Sequence, residues 1–154
     1  MTKIYDLHND RHTIKLIQDA TLNTEDYGLK PEHGLFGSQE WWQAVEQGVI
    51  PKKQVEGVIS RVYMTGHNDF PEFEVTSETG KTKWERKGND KYYVVGKRVK
   101  ILYVTQKFKK PLRIRGLSGK KGLMTDSDVM LEIWGNGEGE IPESVPGPEG
   151  TATD

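Results

Sequence analysis

The chain has 154 residues, a formal net charge of −1 and no cysteine. Hydrophobic residues make up 34% of it and its mean hydropathy is −0.72, so it is more polar than a typical compact domain. The lack of cysteine excludes disulfides, thiolate metal ligands and a thiol nucleophile.

The first residues and the overall hydropathy predict where the protein resides. Residues 1–16 carry scattered charges and no apolar run, so we expect no signal peptide. No window approaches the roughly 20 apolar residues of a membrane helix. Because a small secreted domain of this polarity would usually need disulfides, we expect a cytoplasmic protein.

The N-terminal third of the chain contains one ambiguous element and one clear helix. Residues 12–18 are compatible with a strand or with the start of a helix, and we expect a strand. A short helix is predicted over residues 38–47, because Ser38 is a suitable N-cap and Gly48 stands where helices end. The helix contains two adjacent tryptophans that are expected to anchor it on a sheet, Trp41 and Trp42.

The rest of the chain reads as short antiparallel strands, because apolar and polar residues alternate between turn signals. The predicted strands cover residues 54–64, 70–77, 81–87, 92–95, 99–104, 112–115 and 129–134. Turns spaced by roughly 8–12 residues are typical of a small barrel or sandwich. The expected fold class is therefore mainly β (α+β), a small antiparallel barrel or sandwich of six to seven strands with one short helix.

Charge is segregated along the chain, and composition changes near its end. Residues 96–125 hold ten basic side chains and no acidic one, whereas residues 126–154 hold eight acidic and no basic ones. The last twenty residues are rich in Gly and Pro and nearly devoid of large apolar side chains. We therefore predict a single β-rich domain over residues 1–134 and a disordered acidic tail over residues 135–154.

Residues 55–111 carry a family pattern. The strand V-E-G-V-I-S-R-V-Y is followed by P-E-F-E-V and then by K-Y-Y-V-V-G-K-R-V-K-I-L-Y-V. This pattern resembles the bacterial small β domain of unknown function known as family 3592. The matching positions are Gly57, Val75, Tyr93, Gly96, Val99, Ile101 and Tyr103. The resemblance implies a β domain and no particular activity.

The residue types that carry catalysis are present, but they are not arranged as a site. His8 and His12 are four residues apart without the glutamate of an H-E-x-x-H metal motif. Glu72 and Glu74 lie on one side of a predicted strand, where a solvated surface explains them. We therefore predict no catalytic residues, no metal and no other cofactor.

A nucleic-acid-binding role is one hypothesis. Proteins that bind single strands combine a basic groove with aromatic platforms on a small barrel such as the OB fold. The basic segment 96–125 with its neighbouring aromatic residues matches that description, and residues 106–111 are predicted to form a contact loop. The candidate contacts to nucleic acid or another partner are Trp84, Arg86, Tyr103, Lys107, Phe108, Lys109, Lys110, Arg113 and Arg115.

A protein-binding role is the hypothesis we favour. A small, cysteine-free domain with strongly patterned charge is similar to immunity proteins, which neutralise toxins by covering an active site. A toxin with a basic cleft would be matched by acidic side chains, and Glu72, Glu74, Glu78 or the acidic tail would supply them. We therefore expect a non-enzymatic interaction domain with a protein partner, and single-stranded nucleic-acid binding is the alternative.

Overall fold

A computed structural model describes residues 1–63, 71–115 and 121–136. Within these ranges the chain forms six strands and two α-helices. The strands are β1 (Thr2–Asp6), β2 (Lys53–Tyr63), β3 (Glu72–Ser77), β4 (Gly80–Glu85), β5 (Arg98–Arg115) and β6 (Lys121–Gly135). The helices are α1 (Arg11–Asn23) and α2 (Gln39–Glu46), and short 3₁₀ helices cover Leu7–Asn9 and Asp90–Tyr92.

The six strands form one sheet in the order β1-β6-β5-β2-β3-β4. The pairs β1–β6, β2–β3 and β3–β4 are antiparallel. Because β1 and β4 are the two edges of this order, the sheet is not closed. The predicted class is confirmed as a mainly antiparallel β protein, and it has two short helices where the sequence predicted one.

The chain divides into two compact units. Within the described residues, the sheet unit consists of Met1–Asp6 and residues 54–63, 71–102 and 132–136. The helix unit consists of Leu7–Lys53 and, among the described residues, 103–115 and 121–131. Strands β5 and β6 each run from one unit into the other.

The core of the helix unit is built around α2, which confirms the helix predicted at residues 38–47. The Ser38 hydroxyl caps the helix by accepting a hydrogen bond from the Trp41 backbone N–H at 3.2 Å. Gly48 follows the helix with a φ of 80°, a conformation that glycine adopts without strain. The Trp41 side chain is fully buried, and its indole N–H donates to Oε1 of Gln106 at 2.6 Å. Helix α2 is therefore joined to β5 by packing and by a buried hydrogen bond.

The strand expected over residues 12–18 was wrong, because this segment lies in α1. The physical reason is the N-cap: a carboxylate oxygen of Asp10 accepts from the Thr13 backbone N–H at 3.1 Å, and the other accepts from the Thr13 hydroxyl at 2.7 Å. The half-buried side chains Ile14 and Ile17 are three residues apart, which fits the period of a helix rather than that of a strand.

The structure corrects three further expectations for residues 92–115. The predicted strand 92–95 is absent, since a 3₁₀ helix ends at Tyr92 and turn residues follow. The start of this 3₁₀ helix is fixed by Asn89, whose side chain accepts from the Lys91 N–H at 2.9 Å.

The predicted strands 99–104 and 112–115 are parts of one strand, β5, which also includes the expected contact loop 106–111. That segment stays extended because Lys30 N–H donates to Lys107 O at 2.8 Å and Lys109 N–H donates to Gly28 O at 3.1 Å.

The core of the sheet unit lies on one face of its strands. Phe73 and Val75 lie two residues apart on β3 and are fully buried, and Trp84 lies directly opposite Phe73 on β4. Residues Ser77 and Gly80 pair across a two-residue turn, which confirms the predicted hairpin between β3 and β4. The alternation of buried and exposed residues along β3 therefore leaves the opposite face of this hairpin open to solvent.

Tyr93 closes the loop that follows β4. Its hydroxyl donates to the Lys87 carbonyl and accepts from the Lys87 N–H. Burial raises the pKa of Tyr93 from 10.0 to about 12. The unfolded chain loses the Tyr93 proton at a lower pH than the folded chain. The contribution of this hydroxyl to the free energy of unfolding is therefore fully present below about pH 10 and is lost as the pH rises towards 12.

We therefore expect an alkaline loss of stability that depends on Tyr93. The free energy of unfolding should decrease by about 1 kcal/mol between about pH 9 and pH 11 through this group. Urea unfolding of wild type and of Tyr93→Phe at both pH values measures it, since the variant lacks the ionisable hydroxyl. An equal decrease in both proteins would contradict the assignment.

Candidate protein-binding surfaces

Two of the residues predicted to contact a partner lie inside the sheet unit. The Trp84 side chain is 8% exposed, and its indole N–H donates to the Thr82 hydroxyl at 2.8 Å. The Arg86 guanidinium donates to Tyr63 O at 3.1 Å and pairs with Asp90 at 3.2 Å, and its side chain is 8% exposed. These contacts give both residues a structural role in the unit.

The predicted lysines of the basic segment lie in the helix unit and contact other parts of the same unit. The Lys109 ammonium donates to two carbonyls at the end of α1, those of Thr21, at 2.6 Å, and of Thr24. Lys110 pairs with Asp26 at 2.9 Å. A cation at a helix C-terminus satisfies free carbonyls and favours the helix dipole. The lysines therefore connect β5 to the segment that follows α1.

The remaining predicted contacts are spread along β5. Lys107 is exposed and lies 3.9 Å from Asp126, whereas Phe108 is half-buried and its backbone bridges to that of Leu29. Tyr103 is half-buried. Arg113 and Arg115 belong to β5, but their side chains lie outside the described part of the structure, as does the predicted acidic tail from residue 137 onward.

The acidic side chains proposed as contacts differ from one another in their surroundings. Glu74 accepts from the Ser60 hydroxyl at 2.7 Å and lies opposite Arg61 on β2 and Lys83 on β4. Glu72 lies directly opposite Glu85. Glu78 is exposed at the turn between β3 and β4.

The solvent-facing side of the sheet unit carries two aromatic rings flanked by cations. The Tyr63 ring has the Arg61 guanidinium at 4.8 Å and the Lys83 ammonium at 4.5 Å from its centroid. The half-buried Trp134 ring has the ammonium groups of Lys3 and Lys100 at 5.3 and 5.6 Å. Aromatic and arginine side chains are enriched in protein interfaces. Sequence reasoning missed this surface, because cross-strand neighbours depend on register.

A groove in the helix unit is the second surface that sequence reasoning missed. It lies beside α1, has a volume of about 560 Å³, and is lined by His8, Trp42 and the α1 residues Arg11, Lys15 and Gln18, among others. The His8 and Trp42 rings stack, with centroids 3.6 Å apart and an angle of 16° between their planes. The adjacent tryptophans therefore have different roles: Trp41 is in the core and Trp42 forms a wall of the groove.

Local contacts fix the walls of this groove. The Gln18 amide donates to Phe36 O at 2.8 Å, which ties α1 to the segment before α2. Gly37 has a φ of 76°, and a Cβ there would lie 2.6 Å from a methyl carbon of Ile14. Only glycine permits this close approach of backbone to helix. The turn at Gly37 packs directly against α1, so backbone contacts as well as side chains fix the walls of the groove.

The described residues contain neither a metal-binding cluster nor a membrane-spanning helix. Within them, no cluster of three or more His, Asp or Glu side chains is placed to hold a metal ion. None of the helices described is long and apolar enough to cross a membrane.

An open antiparallel sheet, two short helices and exposed surfaces rich in aromatic and cationic side chains describe a small α+β interaction domain. The model of the family Immunity protein RhsI2 matches residues 1–134. Because the match covers most of the chain, this protein belongs to that family. Immunity proteins bind toxins and neutralise them. No curated protein matches the chain.

Family membership bears on the hypotheses drawn from the sequence. It supports the similarity to immunity proteins and a protein partner, and it does not confirm the resemblance to family 3592. Nucleic-acid binding through segment 96–125 has no support from the comparisons. The partner contacts proposed for Trp84, Arg86 and the residues of segment 96–125 stay a prediction. Several of these residues also make contacts within the chain.

Proposed function

We propose that this protein neutralises a toxin domain by binding it stoichiometrically in the cytoplasm, without catalysing a reaction. The observation that carries the proposal is the family match over residues 1–134. The absence of cysteine is compatible with a reducing compartment. The half-buried, partly accessible rings of Tyr63, Trp134 and Trp42 support it, because tyrosine, tryptophan and arginine contribute most to binding energy in protein interfaces.

The proposal predicts rescue and a defined stoichiometry. Each candidate toxin domain from the genome that encodes the chain is expressed in a host with and without it. We expect one toxin to arrest growth alone and the chain to restore growth. With the purified pair, toxin activity should fall linearly with added chain and reach zero at one chain per toxin.

Two results would count against this function. Protection by amounts of chain far below those of the toxin would indicate an enzyme that inactivates it. Failure of the chain to rescue growth from every candidate, with no complex in size-exclusion chromatography, would remove toxin neutralisation itself. A single-stranded oligonucleotide in the same assays tests the alternative partner, and its binding should weaken steeply with salt if the contact is electrostatic.

A further inference from the structure

The groove in the helix unit combines aromatic and charged side chains. Its volume of about 560 Å³ falls in the range of small-molecule sites. One wall is aromatic, formed by the stacked His8 and Trp42, and Ile14 adds an apolar surface. Most of the remaining lining comes from the first turns of α1, where Arg11 and Lys15 are exposed.

The charge of the groove is positive. Lys15 pairs with Asp19 at 3.2 Å, so these two charges compensate each other. Arg11 is exposed, and among the described residues it has no hydrogen bond or ion pair. An arginine presents a planar fork of donors that matches a carboxylate. The groove thus offers one uncompensated guanidinium beside an aromatic wall.

Building on the proposed function, we propose that this groove receives an aspartate or glutamate side chain of the toxin. The carboxylate pairs with Arg11, and the methylene groups of the side chain pack on Trp42. Arginine and tryptophan are among the residue types that most often dominate interface energy once a partner has covered them and excluded water. The walls are held by the Gln18 hydrogen bond and the turn at Gly37, so little ordering is needed on binding.

A peptide titration tests the pocket without the toxin. The probe is a capped tetrapeptide with one glutamate, and the same peptide with glutamine is its control. The readout is the indole N–H signal of Trp42 in a ¹H–¹⁵N spectrum, assigned with Trp42→Phe among the four tryptophans of the chain. We expect the glutamate peptide to shift the Trp42 signal saturably, and the glutamine peptide to bind at least about tenfold more weakly.

Matched variants identify the cation. Arg11→Gln should weaken binding of the glutamate peptide by about tenfold or more, whereas Arg11→Lys should retain part of it. Arg98→Gln is the control, because it removes another exposed guanidinium that lies outside the groove. Its titration should equal that of wild type.

The outcomes separate the pocket from the proposed function. No shift of Trp42, equal shifts with both peptides, or a wild-type titration for Arg11→Gln would overturn the pocket even if the chain neutralises a toxin. Conversely, a selective shift would retain the pocket even if rescue failed. Tighter binding of a single-stranded oligonucleotide at the same signal would overturn the assignment to a protein side chain in favour of phosphate.

Discussion

Trp41→Ala is expected to lower the free energy of unfolding by about 3–5 kcal/mol. Trp41 is 0% exposed and contacts the Phe36 ring at a centroid distance of 4.7 Å. Truncation leaves a cavity in the helix unit and also removes the indole donor of Gln106, whose side chain is 5% exposed. A buried amide oxygen without its donor adds to the loss.

Urea unfolding followed by far-ultraviolet circular dichroism measures this loss, because backbone amides dominate the signal in every variant. Trp42→Ala is the matched control from the same helix, and it should cost clearly less because Trp42 is only half-buried. Gln106→Leu removes the acceptor while keeping bulk, and it should cost about 1–3 kcal/mol by leaving the indole N–H unpaired. Similar losses for Trp41→Ala and Trp42→Ala would contradict the placement of Trp41 in the core.

Gly57→Ala is expected to destabilise the sheet unit by about 3 kcal/mol, at the upper end of the usual cost of overpacking. Gly57 lies in β2, and a Cβ there would be 2.2 Å from the carbonyl oxygen of Thr76 and 2.8 Å from its carbonyl carbon. Both contacts are with backbone, so a change of side-chain rotamer cannot relieve them. The strands β2 and β3 would have to separate or shift at this point.

Gly135→Ala provides a matched control for that substitution. Gly135 is also in a strand of the sheet unit, but its nearest neighbours would lie 3.5 and 3.6 Å from a new Cβ, which is ordinary contact. We expect its midpoint of urea unfolding to stay close to that of wild type. If both alanine variants unfold at the same urea concentration, the close approach of Gly57 to Thr76 is wrong.

The two tryptophans of α2 show which features of the candidate sites could be predicted from the sequence and which could not. The cap at Ser38 and the terminal glycine at Gly48 are local signals, so the helix could be predicted. Which of the two tryptophans enters the core depends on the strand or helix against which α2 packs. The ring of Trp42 stacks on His8, which lies more than thirty positions earlier in the sequence. The groove beside Arg11 could therefore not be inferred from spacing.

For the basic segment 96–125, the sequence predicted a binding surface where the structure shows lysines engaged within the chain. Its composition indicated a binding surface, because clustered lysines attract polyanions. In the fold, Lys109 and Lys110 bind the carbonyls and the carboxylate near the end of α1. A sequence does not reveal that a lysine is paired with a group some 85 positions away. The clustering of lysines therefore predicted more unpaired positive charge than Lys109 and Lys110 provide.

The sequence by itself determined the elements whose signals are local: alternation in β3, the turn into β4 and the capped helix α2. It also determined the exclusion of cysteine chemistry. Residues 12–18 are helical because of a local signal, the Asp10 cap, which the strand prediction overlooked. Only the tertiary structure decided that β5 is one continuous strand and that Arg11 lines an aromatic groove. The physical reason is that local patterns specify backbone conformation within a few residues, whereas strand register and helix docking select which side chains meet and which charges stay unpaired.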